Sequence, residues 1–417
     1  MNLVNMVNSV NLEVQKMSRI RELLLLSQEI KENIPYQKIS DSPTIKLYTN
    51  WKEYDKYIYD PQKHFIDPLS DNNVVKKIAG DYDLIYYKDS LVINKESRNF
   101  EVALLERKKL FDEINGDSIE KIFTLINPET SKIYAKHIAD ISSVMILRLF
   151  DDLNEPIKIY VGGCFKDSHL SQHLVVITDK EIRSSLLLYI DPPDNCMRSF
   201  VAEYFISKDS EINLAVVNIG KEPSYYSNNF MVDERGKVNV YSVSVGGYAS
   251  RFENRAYLSG EEASYQSLGF SLSRYRDWIH IPDIVHLYYP RGSAHIDLRG
   301  VALDESKNIL QGYAKQHENS TGSRAHISVF GINLGEKSLL VTTPFIDVLN
   351  GNVEEASHES SQYTLDPDTE FYLRSRGIEK REAIKLIIGD FVEDYLLKIP
   401  AQYSKYFRKI LGSLIHI

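Results

Sequence analysis

From about residue 155 to about residue 352 the chain shows almost no helical periodicity. In its place runs a train of short β-rich stretches: Ile157 to Val161, Leu174 to Ile177, Ile212 to Ile219, Val238 to Val245, Ile284 to Tyr289, Ala294 to Val301, Ile309 to Tyr313, His326 to Ile332 and Leu339 to Thr343. Many alternate. Val238, Val240, Ser242 and Ser244 face one way, while Asn239, Tyr241, Val243 and Val245 face the other. Several carry β-branched or aromatic residues on both faces, as strands covered on both sides do. Starts recur roughly every 10–14 residues, a spacing shared by sandwiches, barrels and solenoids. The connectors are short but rarely the Asn-Gly or Asp-Gly pairs of tight hairpins. Bends between strands, rather than reversals, favour a solenoid.

The flanks read differently. Residues 1–150 mix helix and strand. Val10 to Ile34 predicts a helix that Pro35 ends, and Leu84 to Tyr87 with Leu91 to Ile93 predicts a hairpin. Ala103 to Ile126, interrupted at Gly116, and Ile133 to Leu149 are expected as helices. Residues 151–360 form the β core. Residues 361–417 return to helix: Asp366-Pro367-Asp368 starts one, Gly377 closes it, and Glu379 to Leu397 carries an apolar stripe before Pro400. Gly389 inside that stripe costs ~1 kcal/mol relative to Ala, so close packing is expected there.

Function classes fall away quickly. With 49 basic against 58 acidic residues, the net charge of -9 disfavours a general nucleic-acid or anionic-membrane binder. Two cysteines, Cys164 and Cys196, exclude a disulfide framework and a self-contained four-cysteine metal site, and suggest a reducing compartment. Cys196 reads as inert packing. Met1 to Lys16 shows no leader pattern and no stretch reaches membrane length, so a cytoplasmic protein is expected. No P-loop, dinucleotide fingerprint, H-E-x-x-H or nucleophile elbow is present, so ATP chemistry and turnover are not expected of this chain.

Three histidine-bearing segments remain. His169 and His173, near Cys164 and Asp167, would form a metal nest on a helix, but Leu174-Val175-Val176-Ile177 makes strand and turn the plainer reading. His280, His286 and His295, with Asp277, Asp283 and Asp297, would meet only if stacked coils brought them together; ordinary strand-edge polar residues are the plainer reading. The best site is Val353-Glu354-Glu355-Ala356-Ser357-His358-Glu359-Ser360-Ser361, where an imidazole capable of ligating metal sits between carboxylates. A solvated turn weighs equally against it.

Phe371-Tyr372-Leu373-Arg374-Ser375-Arg376-Gly377-Ile378, then Glu382-Ala383 and Ile387-Ile388-Gly389-Asp390-Phe391, resembles the C-terminal signature of the SufB/SufD family of iron–sulfur assembly scaffolds. Pro344 to Val348, Leu298 to Ala302, Gly312-Tyr313-Ala314 and Ser357-His358-Glu359 extend the resemblance. It is strong over about 290–400, faint over about 155–290 and absent before that. It implies a right-handed parallel β-helix with helical ends, dimers of a SufB–SufD pair or of one chain, and a SufC ATPase carried on the C-terminal helices. Arg374, Arg376, Gly377, Ile387, Ile388, Gly389 and Phe391 are the docking residues so implied. A transient iron–sulfur cluster would form at the subunit interface. Some family complexes bind a flavin, on which these residues are silent. SufD-like members carry histidine in Ser-His-Gly-Ala-Thr, and SufB-like members carry Glu-His-Glu-Ala-Thr with an upstream cysteine. Here Ser357-His358 matches the first and Glu359 the second. The cysteine position falls near Val329. The expectation is a SufD-like, non-catalytic subunit whose His358, with Glu355 and Glu359, meets a thiolate from its partner. A compact SufB-like homodimer and a β-helix carbohydrate-active enzyme are the alternatives.

Overall fold

The computed structural model describes residues 19–37, 43–63, 73–110 and 116–415. Strands alternate between two sheets, one of ten and one of nine, and each core strand pairs in parallel with the strand two places on in the chain. Two successive strands therefore make one coil, and about eight coils stack into a β-solenoid with helices at its ends. Among the described residues, reversals occur only at the start, where Leu84–Tyr87 pairs antiparallel with Ser90–Ile93, and Phe100–Glu106 with Ile141–Leu149.

One corner of the stack shows how these connectors bend without hairpins. Glu181, Asp209, Arg235, Glu262 and Arg291 all have φ between 54° and 61°. A left-handed residue without glycine is uncommon, and here stacking holds it. Each donates its N–H to a carbonyl of the next coil, as Asp209 does to Glu234 (3.0 Å) and Arg235 to Glu261 (2.8 Å). Side chains of opposite charge lie above one another: Arg235 on Asp209 (2.5 Å) and Arg291 on Glu262 (2.8 Å).

The interior is apolar along most of its length, from Leu147, Leu174 and Leu188 to Leu310, Ile327 and Val329. Polar residues interrupt it as a ladder. Tyr204 donates to Asn228 (3.2 Å), Asn228 to Asn254 (3.1 Å) and Asn254 to Asp283 (3.0 Å). Asp283 also accepts from Tyr265 (2.8 Å) and Ser267 (2.6 Å), yet desolvation pushes its pKa up to about 6. A carboxyl whose folded pKa lies above its unfolded value weakens the fold as pH rises through that interval. Asp283→Asn should therefore remove a loss of about 3 kcal/mol that the native chain suffers between pH 4 and pH 7, at one pKa unit to ~1.4 kcal/mol. Unfolding midpoints of both proteins at pH 4.5 and 8 check this; parallel pH profiles would refute it.

Helical layers cover both outer faces. Arg19–Ile30 and Lys132–Ala139 pack Ile20, Leu24, Ile133 and Ile138 on the nine-stranded sheet against Val144, Val175 and Val201. At the other end of the chain, Lys380–Leu397 and Ala401–Ile415 lay Ile388, Val392, Tyr403 and Phe407 on the ten-stranded sheet against Val217, Val243 and Phe270.

The predicted β stretches are strands here, and the hairpin at 84–93 is present. Four expectations are corrected. Ala103 to Ile126 is not one helix. Phe100–Glu106 is a strand with alternating exposure, and among the described residues only the short helices Arg107–Leu110 and Asp117–Glu120 follow. Ile133 to Leu149 divides at Asp140 into a helix and the strand Ile141–Leu149, whose near-continuous burial hid its period. The helix expected from Val10 forms over Arg19–Ile30; residues 10–18 lie outside the described part. Cys164 and Cys196 are not independent either: they form a disulfide with Cα atoms 6.2 Å apart. Neighbouring coils bring their two turns together, as the bond from Asp167 N–H to Asn195 O (2.7 Å) records. Gly389 is not packed closely: no atom lies within 4 Å of where a Cβ would stand.

Candidate functional site

The last two strands, Leu339–Val348 and Glu355–Thr364, end the two sheets, and among the described residues neither has a neighbour on its outer edge. Leu339, Phe345, Val348, Leu349 and Tyr363 are exposed at this bare end. Glu355-Ala356-Ser357-His358-Glu359 is thus not a turn but the edge strand itself.

A strand shows only even offsets on one face, so the three predicted ligands part. His358 stands in register with Ile327, an interior residue, and its neighbours Ser360 and Gln362 reach Thr342 across the interior (2.7 and 3.0 Å). With no coil stacked beyond it, His358 remains exposed. Val329, one step along that interior column, is fully buried.

Glu355 and Glu359 face outward instead, where His326 lies between them. Its Nδ1 is 2.7 Å from the Ser357 hydroxyl, which donates to Glu355 (2.7 Å); its Nε2 is 2.9 Å from the Ser328 hydroxyl, which donates to Glu359 (2.7 Å). His295 stacks on His326 from the preceding coil, ring centroids 5.2 Å apart. Burial, then the His326 ring, lowers the pKa of His295. The bare end therefore presents an imidazole on each side of one strand. Reading His326 as part of this site needed the coil length: His326 and Ser357 are 31 residues apart.

The other histidine groups do not converge. His280 is buried under the N-terminal layer, near Thr49 (2.8 Å) and Arg251 (2.7 Å). His286 pairs with His317 (3.2 Å) on the same sheet's outer face, while His295 belongs to the opposite sheet. Asp283 is interior, Asp277 caps the Gly247 and Arg274 amides (3.0 and 2.9 Å), and Asp297 binds Arg299 and Lys398 (3.3 and 2.7 Å). His169 and His173 lie on a strand, not a helix, with both rings committed to hydrogen bonds. Among the described residues no cluster of three or more His, Cys, Asp or Glu side chains is arranged to hold a metal ion.

The C-terminal helices hold two populations of residue. Asp366 caps Pro367–Ser375 by accepting from Asp368 and Thr369 amides (3.0 and 2.9 Å), and Gly377 at φ 83° ends it. Arg374 and Arg376 are exposed there beside Phe371 and Tyr372, which are 74% and 56% exposed. Ile388 is fully buried on the sheet, Ile387 and Phe391 are half-buried against the same cluster, and Gly389 opens outward. Arg299 binds Asp394 and Lys398 binds Asp297, which fasten helix Lys380–Leu397 and its end to the coils. Among the described residues no helix is long and apolar enough to cross a membrane.

Comparison with known proteins adds to this geometry. Residues 163–391, more than half of the chain, match the family model described as the SUF system FeS cluster assembly, SufBD core domain. The chain is similar to an iron–sulfur cluster assembly SufBD family protein of Pyrococcus horikoshii, with 27% identity over 304 residues, 70% of this chain and 66% of that protein. It is also similar to the iron–sulfur cluster assembly protein SufB of Bacillus subtilis, 22% identical over 222 residues, 52% of this chain and 47% of that one. A SufBD family protein of Guillardia theta is 30% identical over 127 residues. The chain thus spans about two thirds of the archaeal relative's length and about half of the bacterial one's.

Proposed function

The chain belongs to the SufB/SufD family of iron–sulfur cluster assembly proteins, and from that premise we propose that it is a SufD-like scaffold subunit which pairs through its bare end and carries a SufC ATPase on its C-terminal helices. The observation that carries the reading is the chemistry of that end. Two unpaired strand edges flanked by exposed aromatic and aliphatic residues invite another chain's strands. An imidazole is displayed there, and no thiol accompanies it, because both cysteines are bonded to each other elsewhere in the stack. Cysteine thiolate is the usual ligand of iron–sulfur clusters. A subunit offering only imidazole and carboxylate needs a partner that brings sulfur. In this reading the nascent cluster is cargo, held between His358 and the partner, while Glu355 and Glu359 contribute charge from the outer face. ATP hydrolysis resides in SufC. Glu359 favours a second reading, a compact SufB-like scaffold acting as a homodimer.

Co-expression with SufB-like and SufC-like subunits, followed by mass measurement of the intact complex, tests the pairing. A complex with one SufB-like chain and SufC supports the SufD-like reading, a pair of this chain with SufC supports the second, and a lone monomer in every combination refutes both.

Docking of SufC gives a sharper expectation at one residue. Gly389→Ala should stabilise the isolated chain by about 1 kcal/mol, because an interior helical glycine is replaced where nothing crowds the new methyl group. If SufC seats on this face, the same change should weaken its binding. Stabilisation with unaltered SufC affinity, measured by calorimetry, would move the docking site away from Gly389.

A further inference from the structure

Beneath the N-terminal layer, six side chains form one unbroken chain of hydrogen bonds, far along the stack from the bare end. Asp140 Oδ2 is 2.9 Å from His169 Nδ1; His169 Nε2 is 2.8 Å from Ser199 Oγ; Ser199 Oγ is 2.8 Å from His137 Nδ1. His137 Nε2 is 3.1 Å from His173 Nδ1, and His173 Nε2 is 3.0 Å from Glu203 Oε2. All six are buried. The chain crosses three elements: helix Lys132–Ala139 with its cap, strand His169–Thr178, and strand Met197–Ile206.

Counting protons decides its state. Five links need five hydrogens. Both ends are carboxylates, which only accept. Three neutral imidazoles and one hydroxyl supply four. The missing hydrogen can be placed, because Ser171 donates its hydroxyl to the His137 carbonyl (2.7 Å) while its oxygen lies 3.0 Å from His137 Nδ1. With that hydroxyl on the carbonyl, the contact at Nδ1 is a hydrogen bond only when the nitrogen carries a hydrogen, and this orientation sets the direction of the links. Ser199 then donates to His169, whose Nδ1–H serves Asp140. His137 Nε2 is left as an acceptor, so His173 donates at Nδ1 and must donate again at Nε2. Glu203 stays ionised, since the amides of Phe123 (2.6 Å) and Leu125 (2.5 Å) also donate to it.

We propose that this chain holds one extra proton at neutral pH, resting between His173 and Glu203, and that the proton latches the N-terminal helical layer onto the solenoid. Without it, a bare nitrogen lone pair faces a buried carboxylate, a contact with no compensation in low dielectric. The neighbouring groups agree with the placement. Lys31 (2.9 Å from Asp140), Lys136, Tyr59 and Arg107 surround the Asp140 end, where added positive charge is unwelcome, and the Phe123 ring stands edge-on to His173 (4.8 Å). Burial lowers the pKa of His137 and of His169, which keeps both neutral. Unfolded histidines give up their protons near pH ~6.5. The latch is thus complete below that pH and is lost as pH rises through the point where the folded chain releases its proton.

Asp140→Asn is the informative variant, because the two oxygens of Asp140 serve different partners, Lys31 and His169. An amide there keeps an oxygen for Lys31 and gives His169 a donor. The direction of every link then reverses, Ser199 donates to His137 Nδ1, and the chain closes with no extra proton, while Ser171 keeps its hydroxyl on the His137 carbonyl and gives up only its contact with Nδ1. In full-length protein labelled with ¹⁵N-histidine, long-range ¹H–¹⁵N spectra at pH 7 should show one doubly protonated buried ring in the native protein and none in Asp140→Asn. Only neutral rings in the native protein, a result independent of how the variant folds, would overturn the proposal. Hydrogen exchange across residues 132–139 tests the latch itself. After correction for intrinsic rates, native protection should fall up to about tenfold per pH unit where the proton leaves. Protection that ignores that event would overturn the mechanical role.

Discussion

His358→Ala in the co-expressed complex should leave its mass and SufC content unchanged and lower the iron and sulfide it retains by about tenfold or more, the scale on which disturbing a metal site's surroundings acts. The side chain is exposed and lies at the last coil. Its loss costs the fold little, so a drop in cluster yield would report chemistry and not misfolding. His326→Ala is the companion experiment. If His326 and not His358 governs retention, the working face is the outer one, where Ser328, Ser357, Glu355 and Glu359 already hold that ring. Full retention in both variants would remove histidine from the reading and leave a purely adaptor role.

The second large effect concerns pairing. Phe345 and Tyr363 are 51% and 40% exposed on the two edge strands. Replacing both with lysine puts charge on an unpaired edge, a device natural sheets use against association. If this end is the subunit interface, Phe345→Lys with Tyr363→Lys should weaken pairing at least a hundredfold, since truncating one well-packed interface aromatic alone costs about 2–4 kcal/mol. Thermal stability of the isolated chain should hardly move. Sedimentation of the wild-type and variant complexes reads the difference, and equal assembly would exclude this end as the interface.

Much of the fold could be read from the order of residues because alternation survives where one strand face meets the apolar interior. It failed on two strands whose other face lies under the N-terminal helical layer. Met197–Ile206 and Ser224–Val232 are buried on nearly every residue, so Ser199, Glu203, Ser227 and Asn229 sit among apolar neighbours and break the pattern. The site was legible in composition but not in direction. His358 and Glu359 are adjacent in sequence, which in a strand sends them to opposite faces. Glu359 meets His326, a full coil away, and nothing local announces that contact. The disulfide was hidden for the same reason: a separation of 32 residues looks remote until one coil's length is known.

The corner where Glu181, Asp209, Arg235, Glu262 and Arg291 stack gives the molecule a graduated scale. Every rung adds one sheet spacing of ~4.8 Å, so about eight coils set the N-terminal beginning of the stack and its bare terminus roughly 40 Å apart. Removing one rung would bring the two ends closer by that increment and turn one against the other by the sheet's own twist, roughly 20–25°. The number of rungs, more than any single side chain, decides where a subunit gripping the terminus stands relative to whatever rides on the flanking helices.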